Sequence, residues 1–206
     1  MLYFVKTPSW LQALFPSFVW KKNTTEKKIY LTFDDGPHPA HTIFVLNELK
    51  KINAKATFFC IGKNVDLYPE IYKQILLEGH AVGNHTQNHL RGRATKNEEY
   101  IANVNAATTT INSNLFRPPY GSIKKSQAKK LMQQNPAFEI IMWTVLSADF
   151  DKNITKEKCL KNVINNTGNG SIVLFHDSDK AAEKLYYALP QFLKFFDEKE
   201  FTFGTL

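Results

Sequence analysis

A chain of 206 residues, 43% of them hydrophobic, is long enough to bury one substantial core and too short to require a second domain. Its 26 Lys and Arg against 19 Asp and Glu leave a formal charge of +7, yet the lysines are spread in pairs and the phenylalanines sit in apolar runs. That pattern excludes a nucleic-acid groove of clustered cations and stacking rings, and no run approaches the ~20 apolar residues of a transmembrane helix.

Residues 1–28 carry Trp10, Phe15, Phe18 and Trp20 and are expected to pack, as an N-terminal segment, against a main domain over 29–206. Attachment to a membrane surface is the alternative. Pro8 and Pro16 interrupt the segment and no small-residue cleavage site follows, so no export signal is expected. The cytoplasm is then the default location, with association at the cell envelope as the alternative.

From residue 29 the pattern predicts strand 29–33, helix 40–52, strand 57–61, helix 69–78, strand 80–83, helix 96–112 and strand 115–117. Helix 124–135, strand 140–145, helix 155–166 capped by Thr155, strand 171–175, helix 181–199 and a last strand near 201–203 complete the chain. Cys60 and Cys159, in a strand and a helix, have no close partner for metal or redox work and are expected to be inert thiols. Strand and helix in alternation imply parallel strands with helices outside.

About seven such units in this length suit an α/β fold of one domain, a distorted and incomplete TIM-like (β/α) barrel, with a doubly wound open sheet as the competing topology. A monomer is expected. The polar groups decide between them. DD follows the first strand, NHTQNH the third, RPPYG the fourth, Asp149 the fifth and HD the sixth, and barrels gather their sites at that C-terminal rim from several strands.

Asp34 and Asp35 repel each other, so the fold must supply a cation, a proton or open water between them. His85 and His89 stand four apart, a spacing that puts both imidazoles on one face of a helical turn, where one ion can bridge them. Thr86 rather than Glu follows the first histidine, so the zinc-protease pattern is absent and a third ligand must come from elsewhere. One of the two aspartates is the natural donor, leaving the other free as a general base. Arg117 can pair with a carboxylate, the stiff turn after it can hold a backbone N–H for an oxyanion, and His176 can act as a general acid oriented by Asp149. Taken singly, each has a plainer reading: a tight turn, a solvated histidine pair, a surface arginine, a core histidine.

Taken in order, TFDDGP, NHTQNH, RPPYG, WTVLSADF and IVLFHD resemble the motifs of the polysaccharide deacetylase family, the NodB homology domain or carbohydrate esterase family 4. The resemblance implies a distorted barrel that removes N-acetyl groups from acetylated glycans, peptidoglycan- or chitin-like, with a divalent metal: zinc, or else cobalt or nickel. Carried onto this chain, it makes Asp34 the base and Asp35, His85 and His89 the metal ligands. Arg117 positions the base, the Tyr120 backbone N–H meets the oxyanion, and Leu174 walls the acetyl methyl. His176 is the acid and Asp149 its partner.

The chain departs from the fourth motif, where Leu146 and Phe150 replace an aspartate and a tryptophan. These departures keep two other activities in view, an O-acetyl sugar esterase and a small-molecule amidase. A non-catalytic glycan-binding domain is the reading from another class. His38 is assigned no role beyond its loop.

Overall fold

The computed structural model describes residues 3–206. After a short helix α1 (Ser9–Ala13), strand β1 (Lys28–Asp34) leads into α2 (His41–Lys51), β2 (Thr57–Cys60), α3 (Gly62–Leu67), α4 (Pro69–Leu77) and β3 (Ala81–Asn84). The chain continues through α5 (Asn97–Ala107), β4 (Leu115–Phe116), α6 (Lys125–Met132), β5 (Glu139–Ile140), β6 (Val145–Leu146), α7 (Lys156–Asn166), β7 (Ile172–His176), α8 (Ala182–Asp197) and β8 (Thr202–Phe203).

The strands run in the order β5-β4-β3-β2-β1-β7-β6, all parallel, with β8 added to the start of β1. β5 and β6 lie at opposite ends of that order, yet only residues 141–144 separate them in the chain. An extended residue spans at most ~3.6 Å, so the sheet must curl until its two ends nearly meet. This is the distorted barrel.

Alternation along β1 separates two environments. Ile29, Leu31 and Phe33 face the helices and join the main apolar core, where Phe33 stacks with Phe58 at 5.1 Å and Phe175 at 6.2 Å between ring centroids. Thr32 and Asp34 take the opposite face, the barrel interior, where the Arg117 side chain meets both. α8 closes the outside with Leu185, Ala188, Leu189, Phe192, Leu193 and Phe196, a stripe recurring at helical spacing. Both cysteines are buried and unpaired. No helix among the described residues is long and apolar enough to cross a membrane.

Most element ends fall within a few residues of the sequence reading, and three departures have a physical cause. The single strand expected at 140–145 is two short ones, because the Ile141 and Met142 carbonyls turn inward to accept from Arg117 Nε and Nη2 at 3.2 and 3.1 Å. The helix expected at 96–112 stops at Ala107, where three successive threonines, each with a hydroxyl turned back to a carbonyl three residues earlier, break the pattern. α3 was not expected, being six residues long and opening on glycine. Thr155 does cap α7, accepting from the Lys158 N–H at 3.2 Å.

Candidate active site

The polar motifs lie at the C-terminal ends of the strands, where Asp34, His85, His89, Tyr120, Leu174 and His176 among others line a cavity of about 310 Å³. The backbone there is unusual. Of the non-glycine residues with positive φ, Asp35 (86°), Thr86 (66°), His89 (56°), Tyr120 (59°) and Ala148 (61°) all belong to the loops of this rim. Such conformations cost free energy and persist where the surrounding structure over-determines them.

Asp34 and Asp35 are adjacent in sequence but face different partners. Asp34, the last residue of β1, is buried and accepts from Arg117 Nη1 at 2.7 Å through Oδ1. Its Oδ2 is left on the side of His85, 3.9 Å from Nε2. The guanidinium is itself fully enclosed: it donates to Thr32 Oγ1 at 2.8 Å and to two carbonyls, and lies 4.0 Å above the Phe59 ring. Asp35 begins the loop, and its Oδ2 takes the Ser178 hydroxyl at 3.1 Å and Lys180 Nζ at 2.8 Å.

Asp35 Oδ1 lies 3.2 Å from His89 Nε2 and 3.7 Å from His85 Nε2 yet accepts no aligned hydrogen bond, although it is buried. Burial opposes its charge, but His89, His176 and Lys180 together hold the carboxyl well below the usual carboxylate range. His85 Nδ1–H donates to the Arg117 carbonyl at 2.8 Å, which leaves the Nε2 lone pair pointing at the carboxylates. Burial pushes the His85 imidazole down to about 4, so the ring stays neutral there. A lone pair facing an unpaired carboxylate oxygen is unfavourable unless a cation lies between them.

The Asp35, His85 and His89 ligand atoms all fall within 4.8 Å of one another, a two-nitrogen, one-oxygen set that suits zinc and its neighbours. The two histidines do not sit on a helical turn. They lie in an irregular loop after β3, made by an Asx turn in which Asn84 Oδ1 accepts from Thr86 N–H at 2.8 Å, and their rings are 5.1 Å apart.

Across the cavity, Asp149 holds His176 twice: Oδ1 accepts from Nδ1–H and Oδ2 from the backbone N–H, both at 2.7 Å. Burial alone would push the His176 imidazole down, but Asp149, with Asp35 and Asp34 behind it, raises it to about 9. Its ring therefore carries a proton at neutral pH. Leu174 and Leu146 form an apolar floor, and Phe150 meets His176 edge-on at 5.3 Å.

The loop carrying the aspartates is clamped from behind by Asp177, which accepts from the Gly36 N–H at 2.9 Å and from the Thr42 hydroxyl. A Cβ on Gly36 would come within 2.2 Å of Asp177 Oδ2, which is why glycine follows the pair. Burial pushes Asp177 up to about 8. His38 lies outside this cavity: its Nδ1 accepts from the Ala40 and His41 N–H groups at 3.2 and 3.3 Å, and its ring stacks on His41 beside Asp179.

Sequence reasoning missed Lys180, Trp143 and Tyr3 in the cavity wall. Lys180 sits three residues beyond Asp177, so its signal is its closeness to the HD motif; Tyr3 reaches the site from a distant segment and carries no local signal.

Residues 21–136 match the polysaccharide deacetylase family. The chain is 33% identical to a peptidoglycan-N-acetylglucosamine deacetylase of Bacillus cereus, across 91% of its own length and 90% of that protein's. A second protein of the same description from Bacillus cereus is 35% identical over 82% of the chain, which spans only 62% of that relative. A crystal structure of a peptidoglycan N-acetylglucosamine deacetylase superposes with a TM-score of 0.83 at 29% identity, covering 97% of this chain and 95% of that one.

Proposed function

The chain belongs to the polysaccharide deacetylase family, and from that membership we propose that it hydrolyses N-acetyl groups on the sugars of a peptidoglycan- or chitin-like glycan, with zinc held by Asp35, His85 and His89. The observation that carries the reading is the buried Asp35 Oδ1, without a hydrogen-bond partner between two imidazole nitrogens, beside a second aspartate committed to arginine. A divalent ion bound there polarises the acetyl carbonyl and makes water more acidic.

Asp34 is the base. Arg117 occupies its Oδ1, so Oδ2, on the side of the metal ligands, takes the proton from the attacking water. Arg117 acts as the positioning residue for that carboxylate. The developing oxyanion is met by the backbone N–H of Tyr120, in the turn after β4, while Leu174 packs on the acetyl methyl. His176, oriented through Nδ1 by Asp149, gives its Nε2 proton to the departing sugar amine. Water and the acetamide are consumed; acetate and a free amine leave.

Acetate release from N-acetylglucosamine oligomers tests this. The protein is expected to release acetate, and prior incubation with a chelator is expected to reduce the rate to background until zinc is restored. Full activity in the chelator's presence would remove the metal from the account.

A second outcome concerns pH. His176 serves as an acid only while protonated, and its raised pKa keeps it so up to about 9. Replacing Asp149 by Asn removes the carboxylate that offsets burial, so the alkaline fall of kcat is expected at a lower pH than in the parent. Profiles of both proteins loaded with the same metal cancel the ion's own field. An unchanged alkaline limb would contradict the pairing.

A further inference from the structure

Residues 3–20 precede the stretch that matches the family, yet they reach the catalytic cavity. The Val5 carbonyl accepts from the Leu146 N–H and the Thr7 N–H donates to the Thr144 carbonyl, both at 2.8 Å. Val19 N–H donates to the Ile140 carbonyl and its own carbonyl accepts from the Met142 N–H, again at 2.8 Å. These bonds pin the segment along the link from β5 to β6 and deliver Tyr3 to the rim. There its ring meets Phe150 edge-on at 5.7 Å, and its hydroxyl donates to Asp151 Oδ2 at 2.6 Å.

Tyr3 lines two spaces at once. One is the catalytic cavity; the other is an adjoining cleft of about 220 Å³ whose farther wall is made by Phe4, Leu11 and Phe15 of the same segment. Tyr120 and Trp143 also border both. A pyranose presents a face of C–H groups that packs on aromatic rings and a rim of hydroxyls that stays wet, so an open cleft with aromatic walls suits a sugar. A glycan whose acetamide reaches His176 must carry its neighbouring sugars out of the cavity, and the way past Tyr3 leads into such walls.

Resting on the deacetylase reading above, we propose that Tyr3 is a specificity-determining residue, its ring supporting the sugar next to the one deacetylated and guiding the glycan into the aromatic cleft. The segment 3–20 thereby forms part of the substrate groove as well as a cover for the barrel.

Kinetics of Tyr3→Ala and Tyr3→Phe on an N-acetylglucosamine tetramer and on 4-nitrophenyl acetate, an acetyl ester without a sugar, test the proposal. Loss of the ring is expected to raise KM for the tetramer about tenfold with kcat within about twofold, because the ring binds substrate and transition state alike. The ester is expected to be turned over as by the parent. Tyr3→Phe keeps the ring and is expected to stay near parental KM. An unchanged tetramer KM in Tyr3→Ala would overturn the proposal. So would equal losses on both substrates, or a fall in thermal stability that accounts for the change. A parent active on the ester but unable to release acetate from the tetramer would sink the glycan reading itself, a failure visible before any variant is made.

Discussion

Replacing Arg117 by Met is expected to cost about 3–5 kcal/mol of folding free energy, the penalty for removing one partner of a buried ion pair. Both members are enclosed: the Arg117 side chain is fully buried and that of Asp34 only 4% exposed. The loss extends beyond one contact, since the Thr32 hydroxyl and the Ile141 and Met142 carbonyls also lose a donor. Those carbonyls lie where the chain passes from one end of the sheet to the other, so the variant strikes the closure of the barrel. Arg117→Lys is expected to rescue little, because a single ammonium cannot reproduce the planar fork that reaches these acceptors together. Urea denaturation measures the difference. A loss below about 1 kcal/mol would mean that the pair is solvated and worth no more than one on the surface.

Asp34→Asn is expected to lower kcat on acetylated oligomers by roughly 100- to 10,000-fold, the contribution of a well-placed general base. The amide oxygen of Asn can still accept from Arg117 Nη1 where Oδ1 now does, but the buried guanidinium loses its counter-charge, so the variant is expected to be folded yet less stable than the parent, and its kinetics belong below its own unfolding transition. KM is expected to change little, because the carboxylate works on the attacking water and not on the bound sugar. Steady-state kinetics decide the matter. A variant retaining more than about a tenth of parental kcat would remove Asp34 from the role of base.

Much of the fold was legible because strand ends in a parallel barrel carry their polar residues at one rim, and those residues interrupt otherwise apolar runs. β1 and its aspartates, and β7 with its terminal histidine, illustrate this: each is an apolar run that ends on a charged or titratable side chain. What stayed hidden depends on partners far away in the chain. The break between β5 and β6 follows from the guanidinium of Arg117, 24 and 25 residues before the carbonyls it captures, and the run 140–145 looks continuous in itself.

The spacing of the histidine pair fits a helical turn, although a loop holds it. Asn84, whose side chain turns the backbone at Thr86, was the local sign that a loop would do the same work. Tyr3 was illegible for a different reason. Its partner Asp151 is 148 residues away, and nothing in the opening aromatics says which of them points into the cavity and which covers the barrel. Lys180 was within reach, since it follows the HD motif closely, but only the fold turns it back onto Asp35.

The proposed chemistry divides the aspartate pair, with Asp34 as proton acceptor and Asp35 as metal ligand. Its most direct test is the zinc content of the parent, Asp34→Asn and His85→Ala after saturation with zinc and removal of the unbound ion. The parent and Asp34→Asn are expected to keep about one equivalent each, with Asp34→Asn unable to release acetate, while His85→Ala, short of one of its few protein ligands, retains far less. Equal zinc in the two variants, or its loss from Asp34→Asn, would contradict the division.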